Sequence, residues 1–233
     1  MQERNGFISW LADFFVPRSC DICGCRLAAD EDIICSACNL KLPRTGQQHT
    51  PLDNNVARLF WGKNNVAQCA AFIFYQSHAP AGRLIYKLKY HNRPDIGEAL
   101  GSMIAREFAI DKFFDGIDVI IPLPLSKRRE RQRGYNQSME LAKGIARVTG
   151  ISICKDAVCR IKDTDTQTRK NPAERHENVK DAFKLMRPET IKGKHILLVD
   201  DVITTGASLS ACVRVVSAAG NVTVSVLTIG ATT

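Results

Sequence analysis

The chain has 233 residues, enough for one sizeable α/β domain and a small extra module. Hydrophobic residues make up 45% and charged residues 24%, which fits a soluble globular protein, and no stretch reaches the ~18 apolar residues of a membrane-spanning helix. Thirty-two lysines and arginines against 24 acids give +8, an excess that favours anionic partners such as phosphorylated metabolites or nucleic acid, with a solvated basic surface as the plain alternative.

The N-terminal run "GFISWLADFFVP" holds Asp13 and lacks the charged start and small-residue cleavage site of a secretory signal. It reads as a short amphipathic helix, with Phe7, Trp10, Leu11 and Phe14 on one side and docked on the body. A membrane-surface or partner-binding role is the competing reading. Five of the nine cysteines then fall between Cys20 and Cys38. Without an export signal, this distribution points to a cytoplasmic chain with a metal site rather than a disulfide scaffold.

Cys20 and Cys23 form one C-x-x-C pair, and Cys35 and Cys38 form another. Two such knuckles supply four thiolates to a tetrahedral zinc ion and tie together hairpins too small to bury a core alone. Cys25 is an alternative to Cys23, although the two-residue spacing favours Cys23. A four-cysteine site is closed, so its expected role is structural. After Pro43, "RTGQQHTPLDNN" reads as a linker or exposed loop. This divides the chain into a helix-and-zinc module over 1–50 and a larger domain over 51–233.

In that domain "AQCAAFIFY" predicts a buried strand. "PAGRLIYKLKY" and "DIGEALGSMIAREFA" predict helices, the second with Ile96, Leu100, Ile104 and Phe108 at four-residue intervals. "DVIIPLPL" is a strand, "SMELAKGIARVTG" a helix closed by Gly150, and "ISICKDAVCRI" extended. A long polar stretch follows, then the strand "HILLVDD", the helix "ASLSACVRVVSAAG" and a last strand "VTVSVLTIG". Strands alternating with helices predict an α/β fold, a parallel sheet with helices on both faces. Neither G-x-G-x-x-G nor G-x-x-x-x-G-K-[ST] occurs, which argues against a dehydrogenase or an ATPase.

The chemistry concentrates in "ILLVDDVITTGASL". Ligands of open parallel sheets bind at the strands' carboxyl ends, where Asp200 and Asp201 fall. Thr204, Thr205, Gly206, Ala207 and Ser208 then form a turn at a helix N-terminus, rich in N–H and hydroxyl donors and suited to a phosphate. The two acids suit the hydroxyls of a sugar, or Mg²⁺. Together these features read as a ribose 5-phosphate site.

"VDDVITTGAS" resembles the signature of the type I phosphoribosyltransferases. That resemblance implies 5-phosphoribosyl 1-diphosphate with Mg²⁺ as ligand, and a basic segment to meet the diphosphate. "PLPLSKRRERQRGYNQ" follows the strand "DVII" at the right place. Ser126, Lys127, Arg128 and Arg129 are the diphosphate candidates, against the plainer reading of a solvated basic helix turn. Cations beyond the needs of one diphosphate, Arg131 and Arg133, are left for a nucleic-acid backbone, with Tyr135 beside them to stack on a base. The polar stretch containing Arg169, Lys170 and Arg175 reads as a flexible lid, with plain disorder as the alternative.

The order of finger, "IYKLKYHNRPDIGEALG", "PLPLSKRR", "NPAERHENV" and "LLVDDVITTGAS" resembles the competence protein ComF/GntX family from about Cys20 onward. The resemblance implies a zinc ribbon before a phosphoribosyltransferase-like fold. It also implies a cytoplasmic role in natural transformation or use of external DNA, through single-stranded DNA and with DNA-uptake or helicase proteins as partners. Hypoxanthine-type transferases carry an acid where this chain has Thr204, and no nucleobase hood is evident, with residues 69–116 the one candidate. The residues therefore select no one nucleobase and are compatible with a site that turns over or one that only binds. A salvage phosphoribosyltransferase and a zinc-bearing adaptor with a vestigial site are the competing readings.

Overall fold

Strand by strand, apolar side chains alternate between two helical layers, and that alternation organises the protein. The computed structural model describes residues 18–62, 64, 66–162 and 181–232. The expected N-terminal helix and the lid residues Arg169, Lys170 and Arg175 lie outside the described residues.

The main sheet contains β1 (Gln68–Tyr75), β2 (Val119–Pro122), β3 (Ser152–Ile153), β6 (His195–Ile203) and β7 (Thr223–Thr232). Their order is β1-β7-β6-β2-β3 and every pairing is parallel. β4 (Val158–Arg160) and β5 (Phe183–Leu185) form a separate antiparallel pair. The segment expected to be extended after residue 151 is thus two strands in two sheets.

In β6, Leu197 and Val199 join one core with α3 (Gly82–Tyr90), α4 (Pro94–Ile110) and α6 (Gln137–Thr149). Ile196 and Leu198 join the other, with α2 (Asn55–Arg58) and α7 (Ala207–Ser217). The parallel sheet with helices on both faces is therefore as expected, and period-two alternation is its cause. α4 buries Ile96, Leu100, Ile104 and Phe108 as its four-residue spacing demands. It packs on α6 so closely that a Cβ on Gly144 would overlap the carbonyl of Glu98.

The small module is built from two knuckles and the short α1 (Ser36–Leu40), which starts directly after Cys35 and so returns Cys38 toward it. Ile22, Leu27, Ile33, Ile34 and Leu42 are buried in the same core as α3 and α4. The module has no separate interior.

The stretch expected to be a linker or exposed loop is exposed at His49, Thr50, Leu52, Asp53 and Asn55, but several of its other groups are bonded to β1. Thr45 N–H donates to the Phe72 carbonyl at 3.0 Å, and Cys69 N–H donates to that of Pro51 at 2.8 Å. Buried Gln47 accepts from Ala71 N–H at 2.8 Å, and buried Asn54 donates to the Cys69 carbonyl at 2.8 Å. The reason is positional: β1 is an edge strand, and its outward backbone groups need partners. Side chains chosen for polarity in the sequence serve here as sheet-edge partners.

Candidate ligand site and metal centre

β6 carries both acids inside the strand. It runs two residues beyond the expected end, because Val202 and Ile203 pair with Gly230 and Ala231 of β7. Asp201 is 8% exposed and meets Lys89 Nζ of α3 at 3.1 Å, with Arg133 Nη1 at 4.0 Å. Asp200, partly exposed, accepts from Ser138 Oγ in the first turn of α6 at 2.9 Å. Burial first, and then the neighbouring Asp201 charge, push the Asp200 carboxyl up to about 7. The Asp201 charge is thus unfavourable to an ionised Asp200, and a cation near the pair offsets it. Lys89 already acts in that sense at Asp201.

Beyond β6, Thr204 is exposed and Thr205 and Ser208 are half-buried, while Ala207 is buried in the first turn of α7. Gly206 is the residue before that helix, with φ +70°, and no side chain caps the helix end. A Cβ there would adopt a strained conformation and meet Leu59 Cβ at 3.4 Å. The uncapped first turn presents N–H donors and the positive end of the helix dipole. The buried hydroxyl of Ser210, one turn further on, has no hydrogen-bond partner among the described residues.

The segment after β2 lies beside β6, with Leu123 N–H bonded to the Val199 carbonyl at 2.9 Å. From Lys127 to Arg133 it forms the helix α5. Ser126 is buried and caps this helix, accepting from Arg129 N–H at 3.3 Å. Lys127, Arg128 and Arg131 are exposed and Arg129 is half-buried. The expected diphosphate and nucleic-acid cations thus ride a short helix whose last residue, Arg133, reaches Asp201. Tyr135 is half-buried, its phenol donating to the Leu88 carbonyl at the end of α3.

Three participants were not singled out from sequence. Lys89 lies in "YKLKY", where nothing in the local pattern distinguishes it from an ordinary surface lysine of a helix. Ser138 was lost in a helix start. Asp21 lies within the knuckle, is 5% exposed, and binds Lys87 Nζ at 2.9 Å and both terminal Arg93 nitrogens at 3.0 Å. A buried acid clasped by two cations docks the module on α3. The one available signal was an acid between two ligand cysteines.

In the module, the sulfurs of Cys20, Cys23, Cys35 and Cys38 lie within 4.8 Å of one another. Tetrahedral zinc–thiolate bonds of about 2.3 Å require sulfur separations of about 3.8 Å. Cys23 and Cys35 sulfurs stand 3.8 Å apart. Cys25 is outside this set. The Cys25 backbone N–H holds the Cys23 thiol down to about 6, and the hydrogen bond with Cys23 pushes the Cys25 thiol up to about 12. The donor set fits zinc, with Cys23 as the second ligand.

Comparison with known proteins agrees with this arrangement. Residues 135–229 match the family model described as the phosphoribosyl transferase domain. Fold and site together define a phosphoribosyltransferase-type domain fused to a four-cysteine module.

Among curated proteins, the chain is 31% identical over 220 residues to the DNA utilization protein YhgH of Shigella flexneri, covering 91% of this chain and 96% of that one. Its YhgH counterpart in Salmonella typhi is 32% identical over 150 residues, an alignment spanning 63% of this chain and 65% of the Salmonella protein. Competence protein F of Haemophilus influenzae is 33% identical over 135 residues, 56% of this chain and 59% of that protein. The chain belongs to the ComF family of competence and DNA utilization proteins. No helix among the described residues is long and apolar enough to cross a membrane.

Proposed function

We infer that the protein binds 5-phosphoribosyl 1-diphosphate with Mg²⁺ and handles single-stranded DNA in the use of external DNA. The carrying observation is the acid pair of β6 followed directly by the uncapped start of α7. Asp200 and Asp201 are the acceptors for ribose hydroxyls and for Mg²⁺, whose charge offsets the repulsion that raises the Asp200 carboxyl. Thr204, Thr205, Gly206, Ala207 and Ser208 cradle the 5-phosphate. Lys127, Arg128 and Arg129 supply positive charge to the diphosphate, with Ser126 setting their helix. Arg169, Lys170 and Arg175 are assigned to a covering lid on the polar character of their stretch and on the family resemblance.

Zinc at Cys20, Cys23, Cys35 and Cys38 has a structural role in this reading, since its four ligands leave no open position. The DNA role rests on the names of the relatives and on the basic α5. The cysteine usage and the family resemblance extend this reading to a cytoplasmic role beside DNA-uptake or helicase proteins.

The deciding experiment is calorimetry with phosphoribosyl diphosphate and Mg²⁺, repeated in the presence of a single-stranded oligonucleotide. Saturable, Mg²⁺-dependent heat that is lost in Asp200→Ala supports the reading. No heat in the wild type ends it. The match of residues 135–229 to the transferase model favours a second reading, a phosphoribosyltransferase of nucleotide salvage. Pyrophosphate release with one of a panel of bases supports that alternative.

A further inference from the structure

Helix α3 buries Leu84, Ile85 and Leu88 and turns its other face outward. On that face Tyr86 is 55% and Tyr90 65% exposed, and exposed His91 follows. The three rings cluster: Tyr86 lies 5.1 Å from Tyr90 and 5.2 Å from His91, centroid to centroid. Large aromatic rings gathered in water mark a binding surface more often than a passive one.

One cation of α5 lies against this cluster. The Arg133 guanidinium lies 5.9 Å over the Tyr90 ring, and the same side chain reaches Asp201. Tyr135, through its bond to the Leu88 carbonyl, ties the end of α5 to α3. The end of the basic helix and the aromatic face therefore meet at Arg133, which also reaches the ligand site.

We propose that Tyr86, Tyr90 and His91 are the stacking platform for successive bases of a single-stranded nucleic acid whose phosphates follow α5. The proposal rests on the nucleic-acid reading above and moves the stacking role from Tyr135 to α3. Tyr135 cannot present its ring freely while its phenol is held at Leu88 and its ring packs on the core. Tyr86 and Tyr90 are one helical turn apart and offer two neighbouring ring faces without sequence preference. Glu130 is the single acid on α5, so a phosphate backbone meets little repulsion there.

The test is fluorescence anisotropy of a labelled oligo-dT of about 16 nucleotides, titrated with the full chain over a range of salt. The pair Tyr86→Ala, Tyr90→Ala is expected to weaken binding by about 5- to 150-fold for each stacked base lost. The slope of log affinity against log salt stays at the wild-type value, because phosphate contacts are untouched. The pair Tyr86→Phe, Tyr90→Phe binds as the wild type does, since stacking needs the ring and not the hydroxyl. Lys127→Ala with Arg131→Ala flattens the salt slope. Melting curves confirm that each variant folds. Equal binding by the wild type and the alanine pair overturns this proposal and leaves the nucleic-acid reading standing. A wild-type chain that binds no oligonucleotide even at low salt overturns both.

Discussion

Replacing Asp200 with asparagine stabilises the ligand-free protein at alkaline pH. The Asp200 carboxyl is raised from 3.8 to about 7, mainly by burial and next by Asp201. A carboxyl that holds its proton more tightly in the folded than in the unfolded state opposes folding when it ionises. The penalty is absent well below 3.8, grows as pH rises from there toward 7, and is fully present above 7. At about 1.4 kcal/mol per pKa unit, the bound is about 4 kcal/mol. Asp200 is partly exposed and keeps the Ser138 hydrogen bond, so solvent screening brings the figure to about 2 kcal/mol. For a chain of this size that is about 4–8 °C in melting temperature. Calorimetric melts of wild type and Asp200→Asn at alkaline and acidic pH provide the assay. The variant is expected to melt higher at pH 8 and close to wild type near pH 3.5, where both forms carry an uncharged group. A variant that melts at or below wild type at pH 8 refutes the view that this acid is held against its own stability for a ligand.

The same carboxyl sets the pH profile of the ligand: affinity for phosphoribosyl diphosphate with Mg²⁺, read by calorimetry, rises with pH up to about 7 and then levels. Asp21→Asn loosens the clasp on Lys87 and Arg93; both cations are about one-third exposed, so the loss is about 2 kcal/mol, seen as a lower urea midpoint. Gly206→Ala costs about 1–2 kcal/mol of stability and weakens ligand-induced thermal stabilisation, because φ is +70° and Leu59 stands close. Metal analysis of the purified chain gives one zinc per molecule in wild type and Cys25→Ser, and substoichiometric zinc in Cys23→Ser.

Much of the architecture was legible because its signals are local. The four-residue spacing of Ile96, Leu100, Ile104 and Phe108 and the apolar runs of β6 and β7 needed no partner to be recognised. The spacing of the paired knuckles named the four cysteines whose sulfurs the fold gathers within 4.8 Å, and "VDDVITTGAS" named the strand end and turn on which the proposed ligand site rests. What stayed hidden depends on contacts distant in sequence. Asp21 finds Arg93 across 72 positions and Ser138 finds Asp200 across 62. Tyr135 looked available beside five cations, yet the fold spends its phenol on Leu88, 47 residues away. The rings of α3 are hidden in the sequence because tyrosine is as compatible with a half-buried as with an exposed helix position, and only packing decides which.

The hydrogen bonds from residues 45–54 to β1 bear on how the protein can be cut. A fragment beginning at residue 51, the natural choice from composition, would discard Thr45 and Gln47 along with the knuckles, leaving the amide of Ala71 and the carbonyl of Phe72 without their mates. Such a fragment invites intermolecular strand addition, so the smallest well-behaved unit for expression starts ahead of Cys20 and retains both halves of the molecule.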